Sequence, residues 1–226
     1  MSTVNFWDPT GIWKGQDAIL IGGGPSLKGF PFERLKGRNV IGINDAFRLG
    51  PEIVKLNFFG DAGWWIRIRD EAVASPVTFV TNSPTLFDWK IPNLYKMDRL
   101  LNGIGEGPVL GWNHNSGAAS INLAYTMGAS RIFLLGFDLT NQRGRSHWHD
   151  FNPNTIPEES FDRFQIGFRT VAEGLKGKVD IFNVTDGSSR LFVFPRIDFD
   201  TFWAMLDGHY HQDAEAEGGL VEETPT

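Results

Sequence analysis

Ten residues near the N-terminus, Ala18–Leu27, join an apolar run to a glycine-rich turn. Four apolar residues lead directly into Gly22–Gly24, which Pro25 and Ser26 follow. Proline suits the first helical position, serine can cap the turn, and glycine allows positive φ and the close approach of a ligand. The segment predicts a strand–turn–helix unit whose turn binds phosphate or a nucleotide. The alternative is a tight turn without a ligand.

This turn fits neither of the two common nucleotide-binding motifs. The dinucleotide fingerprint G-x-G-x-x-G would need a third glycine where this chain has Leu27. A P-loop needs a lysine followed by serine or threonine, whereas Lys28 is followed by Gly29. An NAD-dependent dehydrogenase and a P-loop enzyme are therefore both disfavoured, and the turn belongs to another kind of site.

Predicted strands alternate with predicted helices along most of the chain, which is typical of an α/β fold. We expect a Rossmann-like three-layer sandwich with a mostly parallel sheet. The last strong helix has phenylalanines, a valine and a leucine at helical spacing. The predicted strands are 17–22, 38–44, 54–59, 77–81, 93–97, 131–137 and 179–184, and the predicted helices are 64–74, 116–127 and 158–175.

The composition predicts three parts of unequal size: an aromatic leader over 1–16 packed on the domain, a Rossmann-like nucleotide-binding domain over 17–206, and an acidic, disordered tail over 207–226. The net charge of −6 arises near the C-terminus. After Arg196 the chain has eight acidic residues and no lysine or arginine, which leaves 21 basic against 19 acidic residues before that point. A nearly neutral body predicts no nucleic-acid partner.

Other classes of protein are disfavoured by what the sequence lacks. No apolar run reaches the roughly 18 residues of a membrane span, and no signal peptide opens the chain. The absence of cysteine excludes disulfides and thiolate metal ligands. We expect a cytoplasmic protein, and its eight tryptophans leave room for an oligomer interface.

Small polar or acidic residues follow several predicted strands. Asn44 ends the second strand, Asp61 follows the third, and Asp138 follows the central one. Ligands of open α/β sheets bind beyond the carboxyl ends of the strands, so these are candidate ligand contacts, although all three types are also common in turns. Ser116 is a predicted N-cap, and with Gly117 it would offer free N–H groups to an anion.

Two histidines, His147 and His149, lie in the predicted loop after the central strand. Either could serve as a general base, because an imidazole titrates near neutral pH. Together with Asp150 they could instead bind a metal, although the pattern is weak. The remaining alternative is a polar surface loop.

The order and spacing of these motifs resemble the MptE-like superfamily. The resemblance rests on Ile-Gly-Gly-Gly-Pro-Ser-Leu, Ile-Asn-Asp-Ala-Phe, Asn-Ser-Gly-Ala-Ala-Ser-Ile-Asn-Leu-Ala and Gly-Ala-Ser-Arg-Ile-Phe-Leu-Leu-Gly-Phe-Asp-Leu, followed by a histidine, and covers about 17–205. This superfamily includes archaeal 6-hydroxymethylpterin diphosphokinases and shares a Rossmann-like fold with single-domain bacterial sialyltransferases.

The resemblance implies a nucleotide or nucleotide-sugar donor above the sheet and an acceptor that His147 or His149 deprotonates. The diphosphokinases use ATP with a divalent metal, so Mg²⁺ is an implied cofactor, with Asp61 and Asp138 as the acidic residues and no organic cofactor. The chain lacks a tyrosine cluster near the histidines, which disfavours sialic-acid transfer. The implied nucleotide-binding residues are Gly22, Gly23, Gly24, Pro25, Ser26, Asn44, Asp61, Ser116, Gly117 and Asp138.

We therefore predict a nucleotide-dependent transferase, either glycosyltransferase-like or diphosphokinase-like. The alternative is a non-catalytic accessory or assembly protein of the kind that phage relatives represent, which keeps the nucleotide-binding fold. The aromatic leader and the acidic tail would then be the working parts.

Overall fold

The computed structural model describes residues 6–86, 91–152 and 155–208. Short strands and helices alternate in it, as the sequence predicts. The strands are β1 (Asp17–Ile21), β2 (Val40–Ile43), β3 (Leu56–Phe59), β4 (Thr78–Thr81), β5 (Leu94–Lys96), β6 (Asp98–Leu100), β7 (Val109–Gly111), β8 (Arg131–Leu135), β9 (Asp180–Val184) and β10 (Arg196–Ile197). The helices are α1 (Ala62–Ala74), α2 (Ser116–Thr126), α3 (Glu158–Leu175) and α4 (Phe199–Leu206).

The main sheet has eight strands in the order β10-β9-β8-β1-β2-β3-β4-β5, and every neighbouring pair is parallel. Strands β6 and β7 form a separate parallel pair. The chain moves outward from β1 to β5 on one side, and β8 then begins the other side next to β1. The order of strands therefore reverses between β1 and β8, which is where open α/β sheets bind their ligands.

Alternating side chains of β1 divide the core into two layers. Ala18 and Leu20 belong to an apolar cluster with α2 and α3, whereas Ile19 and Ile21 belong to one with α1 and α4. A parallel strand buried on both faces needs this continuous apolar run. The predicted three-layer α/β sandwich is confirmed.

The predicted helices agree closely with the observed ones. The helix predicted over 158–175 is α3, and its periodic side chains Phe161, Phe168, Val171 and Leu175 are buried. The sequence analysis missed the short elements β6, β7, β10 and α4. Helix α4 has only eight residues, and its burial of Phe202 against the sheet is a tertiary contact that a short window does not reveal.

The described part of the leader packs on the domain. The Trp13 side chain is buried, and the main-chain N–H of Trp13 donates a hydrogen bond of 2.7 Å to the carbonyl of Met127. The ring of Trp7 lies 5.5 Å from that of Tyr95. Nearly all of the tail that the sequence predicts to be disordered, 209–226, lies outside the described residues. Residues 1–5 of the leader lie outside them as well. Among the described helices, none has both the length and the apolar character to span a bilayer.

Candidate functional site

A cleft of about 670 Å³ opens at the carboxyl edge of the sheet, at the reversal between β1 and β8. Its walls come from the loops after β1, β2, β3 and β8 and from the beginnings of α2 and α3. The predicted site residues in these walls are Gly22, Gly23, Gly24, Asn44, Asp61, Ser116, Gly117, Asp138, His147 and His149. Pro25 and Ser26 lie outside the lining.

Neighbouring residues of the protein leave little room for a side chain at the three glycines after β1. A Cβ atom on Gly22 would lie 2.7 Å from the carbonyl oxygen of Gly136, and one on Gly24 would lie 2.6 Å from the Asp138 carboxyl group. A Cβ on Gly23 would lie 2.7 Å from Nδ1 of His147. None of the three has positive φ. Their role is to let the β8 loop and the histidine loop approach the turn closely.

Three N–H groups of this turn already have partners. Gly22 donates to the carbonyl of Leu135 and Gly24 to that of Gly136, both at 2.8 Å, and the Ser26 N–H donates to Asp138 at 2.7 Å. These groups are therefore not available to a phosphate, in contrast to the anion-binding turn that the sequence predicts. The glycine turn is held by the chain's own acceptors.

Asp138 acts as a structural link between β1 and β8. Its side chain is 1% exposed and accepts hydrogen bonds of 2.7 Å from both the N–H and the hydroxyl of Ser26. Burial raises the pKa of the Asp138 carboxyl, and the two hydrogen bonds from Ser26 oppose that rise. The Ser26 hydroxyl is thus used within the protein, although the sequence predicts it as a nucleotide contact.

Asn44 lines the cleft with its backbone in the left-handed region, which few residues other than glycine and asparagine adopt. Its φ is +52°, and its side-chain Oδ1 is buried without a hydrogen-bond partner. The Asn57 side chain, in the middle of β3, donates a hydrogen bond of 3.0 Å to the Asn44 carbonyl. Gly42 makes room for Asn57, because a Cβ there would lie 2.5 Å from Asn57 Oδ1. Backbone strain that surrounding residues maintain is common at functional sites.

Asp45, the next residue along the chain, brings a buried carboxylate to the cleft. It accepts a hydrogen bond of 3.3 Å from the Trp64 indole and forms an ion pair with Arg48. Arg67 lies 4.0 Å away. Asp45 is not among the site residues predicted from the sequence. The signal was present, since an acidic residue follows Asn44 directly.

His147 and His149 stack with ring centroids 5.2 Å apart and planes within 5° of parallel. Neither nitrogen of His147 has a hydrogen-bond partner, and the same holds for Nδ1 of His149. The indole N–H of Trp148, the residue between them, donates to the Gly22 carbonyl at 3.0 Å. The main-chain N–H of Trp148 donates to the Gly23 carbonyl at 2.9 Å. The tryptophan holds the histidine loop against the glycine turn.

Burial keeps both imidazoles neutral at physiological pH. It lowers the pKa of His147, while Asp45 and the Gly23 carbonyl favour the protonated form and oppose that shift. Burial and the neighbouring His147 lower the pKa of His149 to about 4. A neutral imidazole with an unpaired nitrogen can accept a proton, so the pair is chemically suited to a base.

The start of α2 differs from its prediction. Asn115 is the N-cap in place of Ser116, and its Oδ1 accepts from the N–H of Gly117 at 2.7 Å and of Ala118 at 3.3 Å. The Gly117 N–H is therefore occupied. The Ser116 hydroxyl accepts a hydrogen bond of 3.3 Å from the Gly60 N–H. Asparagine is as good an N-cap as serine, so the sequence allowed either residue.

The two carboxylates that the resemblance assigns to Mg²⁺ each accept hydrogen bonds within the protein. Asp61 is exposed and caps α1 by accepting from the Gly63 N–H at 2.8 Å, and Asp138 is bonded to Ser26. Asp150, the third member of the predicted histidine cluster, pairs with Arg145. Over the described parts of the chain, no three histidine, aspartate or glutamate side chains are grouped to hold a metal ion.

The far wall of the cleft is aromatic and cationic, and the sequence analysis missed it. Trp112 and Arg99 lie beside the end of β3, and Arg163 comes from α3. Nothing in the local sequence marks them, because Arg99 and Trp112 contact each other only in the folded chain. The aromatic side chains that α3 adds to the lining are Phe161, Phe164 and Phe168.

No protein-family model and no curated protein matches this chain. Two solved structures of the sialyltransferase CstII from Campylobacter jejuni show a partial structural similarity. The complex with the substrate analogue cytidine-5'-monophosphate has a TM-score of 0.48 at 14% identity, covering 81% of this chain and 85% of that one. The complex with CMP-3FNeuAc has a TM-score of 0.45 at 12% identity, covering 80% and 86%. At these identities the similarity concerns the fold alone, and the resemblance to the MptE-like superfamily stays a prediction.

Proposed function

We propose that this protein is a transferase that moves a group from a nucleotide donor to an acceptor hydroxyl, with His147 as the general base. One observation carries the proposal. Asn44, whose buried Oδ1 is unpaired, and His147, whose two buried ring nitrogens are unpaired, both line the same cleft, at the reversal of the strand order.

Unpaired buried polar atoms point to a missing partner. Leaving such a group without a hydrogen bond costs about 1–3 kcal/mol, so proteins rarely keep several in one place. Asn44 adds a strained backbone, which Asn57 maintains. A polar ligand that donates to Asn44 and presents a hydroxyl to His147 would satisfy these atoms.

The reaction follows from the neutral imidazole. The acceptor oxygen attacks the transferred group, and its proton passes to a nitrogen of His147. The bond between that group and the nucleotide phosphate breaks, and its electron pair remains on the phosphate oxygen. Positioned proton transfer of this kind contributes about 10²- to 10⁴-fold to the rate.

His147 is the better base of the two histidines. With a pKa of about 4, His149 has little affinity for a proton at neutral pH. His147 faces Gly23 directly and has both ring nitrogens unpaired. We assign His149 to holding the His147 ring in place through the parallel stack.

Glycosyl transfer suits the side chains better than diphosphoryl transfer. The two acidic residues that a metal-assisted reaction would use have structural partners, Gly63 for Asp61 and Ser26 for Asp138. The histidine pair needs only an acceptor hydroxyl and a nucleotide leaving group.

Ligand-induced thermal stabilisation, combined with product analysis, tests the proposal. Cytidine, uridine and guanosine nucleotides, their sugar conjugates, ATP, and ATP with Mg²⁺ are titrated into wild type, Asn44→Ala and the control Asn93→Ala. Asn93 also donates to main-chain carbonyls but lies outside the cleft. We expect stabilisation of wild type and the control by a nucleotide, weaker stabilisation of Asn44→Ala, and release of the nucleotide from its sugar conjugate.

Other outcomes separate the alternatives. Stabilisation by ATP only with Mg²⁺ would favour the diphosphokinase reaction over glycosyl transfer. Binding without turnover of any conjugate would favour the non-catalytic protein. No stabilisation by any nucleotide would contradict the proposal.

A further inference from the structure

Trp112 packs against the end of β3 at a position that only glycine can fill. A Cβ atom on Gly60 would overlap the six-membered ring of Trp112. The Gly60 backbone therefore supports the indole directly. Both residues line the cleft, next to Asp61. A tryptophan fixed in this way presents a rigid surface with few rotamers to lose on binding.

Arg99 fixes the same indole from a second direction. Its guanidinium carbon lies 4.2 Å from the centroid of the Trp112 ring. The guanidinium also donates to the Gly60 carbonyl at 2.7 Å and to the Asn82 carbonyl at 2.8 Å. Because Arg99 is bonded to Gly60, the glycine and the guanidinium support the indole together. Its Nε and Nη2 donors are used by these carbonyls and by the Asn82 side chain.

The neighbouring wall is polar but uncharged. Ser83 and Thr85, in the loop after β4, line the same cleft and have hydroxyl oxygens 3.4 Å apart; Ser83 is buried and Thr85 is exposed. Hydroxyl groups both donate and accept, so they can match the edge of a heterocyclic base. A fixed aromatic face next to adaptable hydroxyls fits a flat, polar-edged ring, whereas a phosphate would need free N–H or cationic groups.

We propose that the face of Trp112 opposite the Arg99 guanidinium is the platform on which the base of the bound nucleotide stacks, with Arg99 and Gly60 as positioning residues that hold the indole. This inference rests on the proposed function, because it assumes a nucleotide in the cleft. In this arrangement the base of the nucleotide would lie at Trp112 and the reacting group would lie near His147.

Binding of a nucleotide and of ribose 5-phosphate separates the base from the rest of the ligand. The tightest-binding nucleotide and ribose 5-phosphate are titrated into wild type, Trp112→Leu, Trp112→Phe and Trp7→Leu. Trp7 is a matched control, because it is half-buried against Tyr95 and outside the cleft lining. Stacking on an aromatic side chain predicts a loss of about tenfold or more in nucleotide affinity for Trp112→Leu, a smaller loss for Trp112→Phe and none for Trp7→Leu. Affinity for ribose 5-phosphate is expected to stay equal in all four proteins.

Fluorescence gives a second measurement that does not depend on the leucine variant folding. The bound base should quench part of the tryptophan emission in wild type, and Trp112→Phe should lose that part. If wild type binds no nucleotide, the proposed function and this inference both fail. If wild type binds a nucleotide but the Trp112 variants keep its affinity and its quenching, only the inference is overturned.

Discussion

The side-chain amide of Asn57 donates a hydrogen bond of 3.0 Å to the main-chain carbonyl of Asn44. Asn57 is fully buried in β3, where an apolar residue would ordinarily stand. The bond joins the interior of one strand to the residue that ends its neighbour. We infer that it maintains the positive φ of Asn44, a lining residue of the cleft whose Oδ1 is buried and unpaired.

Replacing Asn57 with leucine tests this support. The variant leaves the Asn44 carbonyl unpaired, so we expect a loss of about 1–3 kcal/mol in the free energy of unfolding. Because Asn44 is then free to relax, nucleotide affinity should fall on the order of tenfold. Asn93→Leu is the control, since it removes two hydrogen bonds to the carbonyls of Ser75 and Val77 outside the cleft. Urea denaturation and equilibrium titration measure both quantities, and equal affinities in the two variants would contradict a positioning role.

Alanine at adjacent glycines should separate activity from stability. At Gly23 the added methyl group meets the movable ring of His147, whereas at Gly24 it meets the Gly136 carbonyl and the bonded carboxyl of Asp138. We expect Gly24→Ala to lower stability by about 1–3 kcal/mol through overpacking. Gly23→Ala should keep its stability within about 1 kcal/mol and lose donor turnover. Wild-type turnover in Gly23→Ala would argue against His147 as the base.

His149 makes stability depend on pH in a defined range. Its pKa is about 4 in the folded protein and near 6.5 when unfolded, so the unfolded chain binds more protons between these values. Stability should therefore be complete above about pH 6.5 and fall as the pH is lowered towards 4. His149→Gln should weaken this dependence, leaving the smaller contribution of His147. Urea denaturation between pH 4.5 and 7.5 measures it, and identical slopes in the two proteins would contradict a buried neutral His149.

The fall of kcat/KM at acidic pH should report the protonation of His147. Because burial lowers its pKa, the ring stays unprotonated down to a pH below 6.5. We expect kcat/KM to be constant near neutral pH and to decline only below pH 6.5. His147→Gln should reduce turnover by about 10²- to 10⁴-fold while nucleotide binding persists. A decline that begins above pH 7, or an active glutamine variant, would assign the proton to another group.

Periodic patterns in the sequence predicted most of the fold. The run Arg131–Leu135 is apolar at its centre because β8 is buried on both faces, and α3 is recognisable from Phe161 and Phe168 at helical spacing. Short elements such as α4 were missed because their stability comes from contacts with distant strands. The same limit applies to Asn57, whose polar side chain has a function only next to Asn44.

The candidate site was predicted in position more than in detail. Asn44, Asp138 and the two histidines line one cleft, since parallel strands end at the same edge of a sheet. Their contacts with a ligand stay a prediction. The hydrogen bond from Ser26 to Asp138 joins residues that are 112 positions apart in the sequence, so a local sequence pattern could not predict it. Trp112 and Arg99 were missed for the same reason, because each contacts Gly60, which follows β3 and is distant from both in the sequence.

A crystal structure of the protein with a bound nucleotide tests the central claim most directly. We predict a nucleotide in the cleft between β1 and β8, with a donor group within hydrogen-bonding distance of Asn44 Oδ1 and its phosphate-linked group facing the ring of His147. A nucleotide bound elsewhere, or a cleft that stays empty at a concentration that saturates binding in solution, would contradict the account.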